Sequence, residues 1–227
     1  MKHLGAGPHG ELEEVLENIW FVKGGLKMPF PLPMWITRGM TVIRDASDGS
    51  LTVVNSMRLS EEGHERLDAL GKVARVIRLG GFHGRDDGYY RERYGAKIFA
   101  VKGMTYHRGM KPDEGEDYLK PDVELDEHTA LPLPNARLKV FTSSNPPEAI
   151  LLLERDGGIL ISGDALQNTP APDRYFNWLA KTFMKRMGFF KACNVGPGWL
   201  RFAKPHADDV RSVLDLDFEH VFPTHGD

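Results

Sequence analysis

Residues 159–166, Ile-Leu-Ile-Ser-Gly-Asp-Ala-Leu, decide the fold of this chain. The apolar run predicts a buried strand and the Gly-Asp pair predicts the turn that ends it, so Asp164 follows the carboxyl end of a strand. The end of the chain repeats this arrangement, because residues 220–222 predict a strand and His225 lies in the tight turn after it. Polar side chains placed in this way can converge on one crevice.

Outward from these two stretches, short apolar runs alternate with turns along the whole chain. Further strands are predicted at residues 18–22, 40–44, 51–54, 73–79, 97–101, 138–142 and 149–154. Helices are predicted at residues 61–70, 89–94 and 207–214. The proline-rich residues 27–35 are expected to form an irregular crossing or an edge. This mixture predicts a layered α/β or α+β architecture, and we expect residues 1–227 to form a single domain.

The composition is that of an ordinary soluble globular protein, with 41% hydrophobic and 27% charged residues. The formal net charge of -3 argues against nucleic acid as a partner. Cys193 is the single cysteine, which fits a reducing compartment. The first residues lack the apolar run of a signal peptide, and no stretch reaches the roughly 18 apolar residues of a membrane helix. We therefore expect a cytoplasmic protein.

Two further loops after predicted strands carry polar residues. His83 and Asp87 follow the strand at residues 73–79, and Asn145 follows the strand at residues 138–142. Imidazole together with carboxylate binds zinc, iron or manganese without any thiolate. The sequence therefore predicts a divalent metal site at the ends of these strands.

These motifs and their order resemble the metallo-β-lactamase superfamily. Its members carry a loop His-x-His-x-Asp-His, a later His, a bridging Asp in a turn like Gly-Asp-Ala-Leu, and a last His before Gly. Residues 159–166 match the bridging turn, and Phe-Pro-Thr-His-Gly at residues 222–226 matches the last motif. The resemblance covers the chain from about Ile19 to the end. It implies an α+β fold, a four-layer αββα sandwich, with a two-metal hydrolase site.

The first histidine motif of this family is incomplete here. Residues 82–88, Phe-His-Gly-Arg-Asp-Asp-Gly, keep the first His and the Asp. Arg85 and Gly88 stand where the other two histidines belong, and Asn145 stands where the family has its next histidine. An arginine cannot act as a ligand, because it has no free lone pair at accessible pH. The resemblance therefore implies that the first of the two positions holds no metal.

The second metal position is better preserved, because Asp87, Asp164 and His225 are all present. His83 is available as a fourth ligand. Such a set would accept one Zn, Fe or Mn ion and lower the pKa of a bound water. The hypothesis is a mononuclear hydrolase or lyase acting on an ester, thioester or phosphoester of a small molecule. In it Asp87 and Asp164 are the catalytic carboxylates, and Asp87 orients the attacking water.

A metal-free binding protein is the alternative. In it the guanidinium of Arg85 takes the place of the first ion's charge and hydrogen-bonds Asp164 or Asp87. Arg85, Asn145 and Arg174 would then donate hydrogen bonds to an anionic small molecule. The residues leave both hypotheses open, and with them whether the protein is an enzyme.

A basic, aromatic insert is predicted at about residues 173–204, which contain seven Lys or Arg residues and one acid. An apolar stripe at helical spacing predicts an amphipathic helix that packs on the core, and the stripe consists of Phe176, Leu179, Phe183 and Met187. Two other roles are a lid over the substrate and a helix on a membrane surface, and of these two we favour the lid. Trp178 and Phe183 are also candidates for a homodimer contact.

The remaining histidines fit no metal-ligand spacing. They are assigned to surface or packing positions, and they are His3, His9, His64, His107, His128, His206 and His220. Asp86, beside Asp87, is expected to face solvent.

Overall fold

The strands form two large sheets and two small ribbons in the residues that this computed structural model describes: 3–28, 32–104, 107–108, 111–112 and 119–227. The strands are β1 (Glu13–Leu16), β2 (Ile19–Lys27), β3 (Trp35–Arg44), β4 (Leu51–Val54), β5 (Val73–Arg78), β6 (Lys97–Val101), β7 (His107–Arg108), β8 (Lys111–Pro112), β9 (Val123–Leu125), β10 (Ala136–Phe141), β11 (Glu148–Leu153), β12 (Ile159–Ser162), β13 (Leu166–Gln167), β14 (Asn194–Val195) and β15 (His220–Pro223). The larger sheet has the order β1-β2-β3-β4-β5-β6-β9, with antiparallel pairs up to β4 and parallel pairs after it. The smaller sheet has the order β10-β11-β12-β15, in which β12 and β15 are parallel.

The helices connect and cover these strands. They are α1 (Glu61–Leu70), α2 (Asp87–Tyr94), α3 (Trp178–Arg186), α4 (Pro197–Ala203), α5 (Ala207–Arg211) and a 3₁₀ helix (Ser212–Asp215). Helix α1 begins where the sequence predicted, because the Ser60 hydroxyl accepts a hydrogen bond from the Gly63 N–H at 3.1 Å. Asn177 caps α3 in the same way, accepting from the Ala180 N–H at 3.0 Å.

The two sheets pack face to face with helices on both outer sides, because successive residues of a strand point in opposite directions. On β4, Val54 points into the core between the sheets, whereas Val53 packs with residues of α1 and α2. On β11, Leu151 faces the same central core and Leu152 packs with residues of α4. The result is the four-layer αββα sandwich that the resemblance implied.

The proline-rich segment joins two strands that are longer than predicted. Lys27 and Trp35 pair with each other as the last residue of β2 and the first of β3. Residues 28 and 32–34 are irregular, as expected, and residues 29–31 lie outside the described part of the chain.

The predicted apolar stripe of α3 is wrong at one position. Phe183 is 43% exposed, and Trp178 at the start of the helix is 76% exposed. The buried positions are Ala180 and Met184, which pack against the start of β3 through Ile36. None of the helices in the described ranges has the length and apolar character needed to cross a bilayer.

Candidate metal centre

His83, Asp164 and His225 converge, with ligand atoms that all lie within 4.8 Å of one another. Asp164 stands between the two imidazoles. Its Oδ1 is 3.0 Å from His225 Nε2, and its Oδ2 is 3.0 Å from His83 Nε2. The side chains of His83, Asp164 and His225 are 12%, 17% and 7% exposed, so the cluster is largely shielded from water.

Each side chain of this cluster follows the carboxyl end of a strand. In the parallel pair β12 and β15, Ser162 lies opposite Pro223. Asp164 and His225 come two residues later in each strand and therefore emerge side by side. His83 belongs to the loop after β5, where its N–H donates to the carbonyl three residues earlier at 3.1 Å. The three side chains follow strand ends, as the sequence predicted, but they come from both sheets, because β5 belongs to the larger sheet and β12 and β15 belong to the smaller one.

The carbonyl oxygen of Thr37 fixes the orientation of His225. The His225 Nδ1 atom lies 2.7 Å from this oxygen. Because a carbonyl can only accept a hydrogen bond, Nδ1 carries the proton. Nε2 is therefore the atom that faces Asp164. Histidines that bind metal ions are commonly held by a carbonyl or carboxylate in this way.

The charges of the cluster support one another. Burial alone would raise the pKa of Asp164, but the neighbouring imidazoles of His83 and His225 outweigh burial and hold this pKa well below its usual range. Burial alone would lower the pKa of His225, but the hydrogen bond to Asp164 and the charge of its carboxylate raise it. An ionised carboxylate between two imidazoles is thus the stable arrangement.

Two buried atoms of the cluster lack a hydrogen-bond partner among the described residues: His83 Nε2 and Asp164 Oδ2. They are 3.0 Å apart, but their directions are not those of a hydrogen bond. Buried polar atoms without partners are uncommon in proteins, and an ion or a water can account for them. Two imidazole nitrogens and a carboxylate suit zinc, iron or manganese, so these three residues fit one such ion.

Comparisons with known proteins agree with this architecture. No protein-family profile matches the sequence, and no curated protein does. The FIM-1 metallo-β-lactamase from Pseudomonas aeruginosa, solved in a mono-zinc form, is similar with a TM-score of 0.62 and 10% identity, covering 98% of this chain and 89% of that one. The metallo-β-lactamase from Hirschia baltica has a TM-score of 0.59 and 13% identity, covering 97% and 91% of the two chains. The chain has the metallo-β-lactamase fold. At such identities the similarity establishes the fold and not the activity.

Within this metallo-β-lactamase fold Asp87 does not join the cluster, contrary to the prediction that it is a ligand and orients the nucleophile. Its buried carboxylate accepts a hydrogen bond from the Ser56 hydroxyl at 2.6 Å and lies 3.6 Å from Arg78 Nε. Asp86 was expected to face solvent, but it is 3% exposed and forms an ion pair with Arg38. Arginines of β5 and β3 therefore neutralise the two aspartates.

The three predicted substrate-binding residues have different environments. Arg85 Nε lies 3.9 Å from Asp86 Oδ1, and the guanidinium beside Asp87 is that of Arg78 instead. Asn145 is exposed. Arg174 is exposed and lines a surface cavity of about 360 Å³, whose lining includes none of the three cluster residues.

Asn55, which follows β4, connects the segments that carry the three cluster residues. Its Nδ2 donates to the Ser162 carbonyl at 3.0 Å and to Thr224 Oγ1 at 2.8 Å, and its Oδ1 accepts from the Leu79 N–H at 3.2 Å. Each of these partners precedes a cluster residue by one to four positions. Sequence reasoning missed Asn55 because its partners are 24, 107 and 169 residues away.

Glu148, the first residue of β11, was also missed and lies next to the cluster. It is 1% exposed, and burial together with the charge of Asp164 raises its pKa well above the usual range. Its Oε1 accepts a hydrogen bond from the Ala165 N–H at 2.5 Å, and its Oε2 has no hydrogen-bond partner among the described residues. An acid at the head of an apolar strand is ordinarily solvated, so no sequence signal pointed to it.

Proposed function

We propose that this protein is a metal-dependent hydrolase with a single-ion site formed by His83, Asp164 and His225. The observation that carries the proposal is a pair of buried ligand atoms, Nε2 of His83 and Oδ2 of Asp164, that lie 3.0 Å apart and have no hydrogen-bond partner among the described residues. The third ligand is already oriented, because a backbone carbonyl holds Nδ1 of His225 and directs Nε2 into the cluster. This donor set favours one Zn, Fe or Mn ion.

A single ion, rather than two, is supported by a buried arginine. The sequence resemblance assigns Asp87 to the second metal of the family. Here the guanidinium of Arg78 lies 3.6 Å from that carboxylate, so a permanent cation is already present. FIM-1, which shares the fold, has been crystallised in a mono-zinc form.

The proposed substrates are small molecules with an ester, thioester or phosphoester bond. A divalent ion bound here would supply a Lewis acid for the carbonyl or phosphoryl oxygen of such a bond. The chain itself supplies a shielded environment, in which charge interactions are stronger than in water. Asp164 remains ionised beside His225, and its two oxygens allow one to hold the ion while the other orients a nucleophile.

The alternative, a metal-free protein that binds an anionic small molecule through Arg85, Asn145 and Arg174, has less support. It requires the three donors to face one ligand. Asn145 and Arg174 are both exposed. Arg174 lines a surface cavity whose lining contains neither Arg85 nor Asn145.

Metal analysis by mass spectrometry tests the proposal. Untagged protein from cells grown with added Zn, Fe and Mn is expected to hold about one equivalent of metal. Asp164→Ala and His225→Ala should lose it, whereas His128→Ala, which removes an exposed histidine, should keep it. The loaded protein is then screened against esters, thioesters and phosphoesters. A metal-free wild type would overturn the proposal and favour the binding alternative.

A further inference from the structure

Glu148 touches both of the loops that carry His83 and Asp164. Its backbone forms an isolated antiparallel bridge with Gly80, whose carbonyl accepts the hydrogen bond from the His83 N–H. Its side chain accepts a hydrogen bond from the N–H of Ala165, the residue after Asp164. One residue of the smaller sheet therefore connects the loop that follows β5 to the turn that follows β12.

Gly80 and Gly163 leave room for the Glu148 carboxylate because they have no side chain. A Cβ atom on Gly80 would lie 2.9 Å from Glu148 Oε2, and a Cβ on Gly163 would lie 3.1 Å from Oε1. The same two positions would bring a Cβ within 3.3 and 3.5 Å of the His83 ring. The carboxylate and the His83 ring therefore share one closely packed space between the two loops.

The position of Glu148 is costly for folding. A carboxyl group that is 1% exposed and has one oxygen without a hydrogen-bond partner among the described residues is disfavoured relative to an apolar side chain of similar size. A group of this kind is better explained by the arrangement of its neighbours than by its contribution to stability.

We propose that Glu148 is the positioning residue of the metal centre, which sets the spacing between His83 and Asp164 by binding both of their loops. The inference rests on the proposed single-ion site and deepens it. Glu148 acts through Asp164 and is not itself a ligand, because the ligand group within 4.8 Å consists of His83, Asp164 and His225.

Titration of metal-free protein with Co²⁺, followed by its visible absorption, tests the inference. Glu148→Ala is expected to weaken Co²⁺ binding by roughly 10–100-fold, the usual effect of removing a residue that orients a ligand. Glu148→Gln keeps an oxygen for the Ala165 N–H and should stay within about threefold of wild type, while showing the wild-type absorption spectrum. Leu152→Ala is the matched control, because it removes a buried side chain of the same strand on the outer face.

The outcomes separate this inference from the proposed function. Equal Co²⁺ affinities for Glu148→Ala and wild type would overturn the positioning role and leave the metal site intact. A loss in Leu152→Ala as large as in Glu148→Ala would also overturn it, since general loosening of β11 would then explain the effect. If wild type binds no metal, the proposed function fails. The ¹⁵N chemical shifts of the His83 and His225 imidazoles then test the positioning role of Glu148 in the metal-free protein. Shifts that move in Glu148→Ala and return in Glu148→Gln support positioning, and unchanged shifts contradict it.

Discussion

The guanidinium of Arg78 lies beside the carboxylate of Asp87, with Nε 3.6 Å from Oδ2, and both side chains are almost fully buried at 1% and 0% exposure. Gly84 closes this pair from one side, because a Cβ there would lie 2.6 Å from Arg78 Nη1 and 3.1 Å from Asp87 Oδ2. Asp87, which the sequence resemblance matched to the aspartate of the first metallo-β-lactamase motif, is therefore half of a buried ion pair here.

Asp87→Asn should preserve the metal and damage the fold. The substitution removes the carboxylate charge beside the buried Arg78 guanidinium, and breaking a buried ion pair in this way costs about 3–5 kcal/mol. Urea unfolding measures this loss, and mass spectrometry of the folded protein should still find about one equivalent of metal. His83→Ala is the contrasting variant, since it should lose the metal. If folded Asp87→Asn lost the metal, Asp87 would be a metal ligand after all, and this prediction would be wrong.

Metal should stabilise the folded protein through the three-residue cluster. An ion that binds the native state at a free concentration of 100 Kd adds about 2.7 kcal/mol. For a chain of this size that corresponds to a rise in Tm of about 5–10 °C. Calorimetry with and without Zn²⁺ or Mn²⁺ measures the shift, which His225→Ala should abolish. An equal shift in the variant would place the ion elsewhere.

Asn55 should matter for both folding and metal binding, because its side chain joins three segments by buried hydrogen bonds. Asn55→Ala is expected to cost about 2–4 kcal/mol, at about 1 kcal/mol for each bond plus backbone strain. The backbone φ of Asn55 is 54°, so Asn55→Gly should lose the bonds but avoid about 1 kcal/mol of strain. Denaturant unfolding compares the two variants. Equal stabilities would show that the positive φ carries no cost here.

The strands were predictable from the sequence because they follow simple local rules, whereas the four-layer sandwich was implied by the resemblance to the metallo-β-lactamase superfamily. Val53 and Val54 on β4, and Leu151 and Leu152 on β11, separate onto opposite faces as period two requires. The helix α3 followed its pattern less well. Its buried positions Ala180 and Met184 are set by packing against the start of β3, which a short amphipathic sequence does not specify.

The candidate site was predictable only in part. Asp164 and His225 follow strands in recognisable turns, which is a local signal. The partners of the aspartates depend on tertiary contacts, because Arg38 reaches Asp86 across 48 residues of sequence. Glu148 shows the same limit, since its contacts with both ligand loops arise only when the two sheets meet.

The exposed Trp178 of α3 and the buried Phe176 just before this helix give a contrasting pair of variants. Trp178→Ser should change the free energy of unfolding by less than about 0.5 kcal/mol, because the side chain is 76% exposed. Phe176→Ala should cost about 3–5 kcal/mol, because its 3% exposed ring packs on Phe189 and Phe190. A large loss in Trp178→Ser would mean that this face is covered in solution, and light scattering would then show a dimer.

His64 should make the protein sensitive to acid. Its ring is buried against Tyr89, Tyr90 and Tyr94, and its Nδ1 lies 2.9 Å from the Tyr94 hydroxyl oxygen. Burial, with the nearby charge of Arg93, lowers the pKa of His64 from 6.5 to about 4. Between these two values the unfolded chain binds a proton that the native state does not. Stability contributed by neutral His64 is therefore complete above pH 6.5 and is lost as the pH falls towards 4.

The variant His64→Gln isolates this effect, because it keeps a polar side chain and removes the titrating group. Wild type should lose about 1–3 kcal/mol more than His64→Gln between pH 7 and pH 4, when the two are compared by urea unfolding at each pH. The carboxylates that titrate in the same range are common to both proteins and cancel in the difference. If the free energy of unfolding of the two proteins depends on pH in the same way, His64 is protonated without loss of stability, and its charged form is tolerated among the tyrosines.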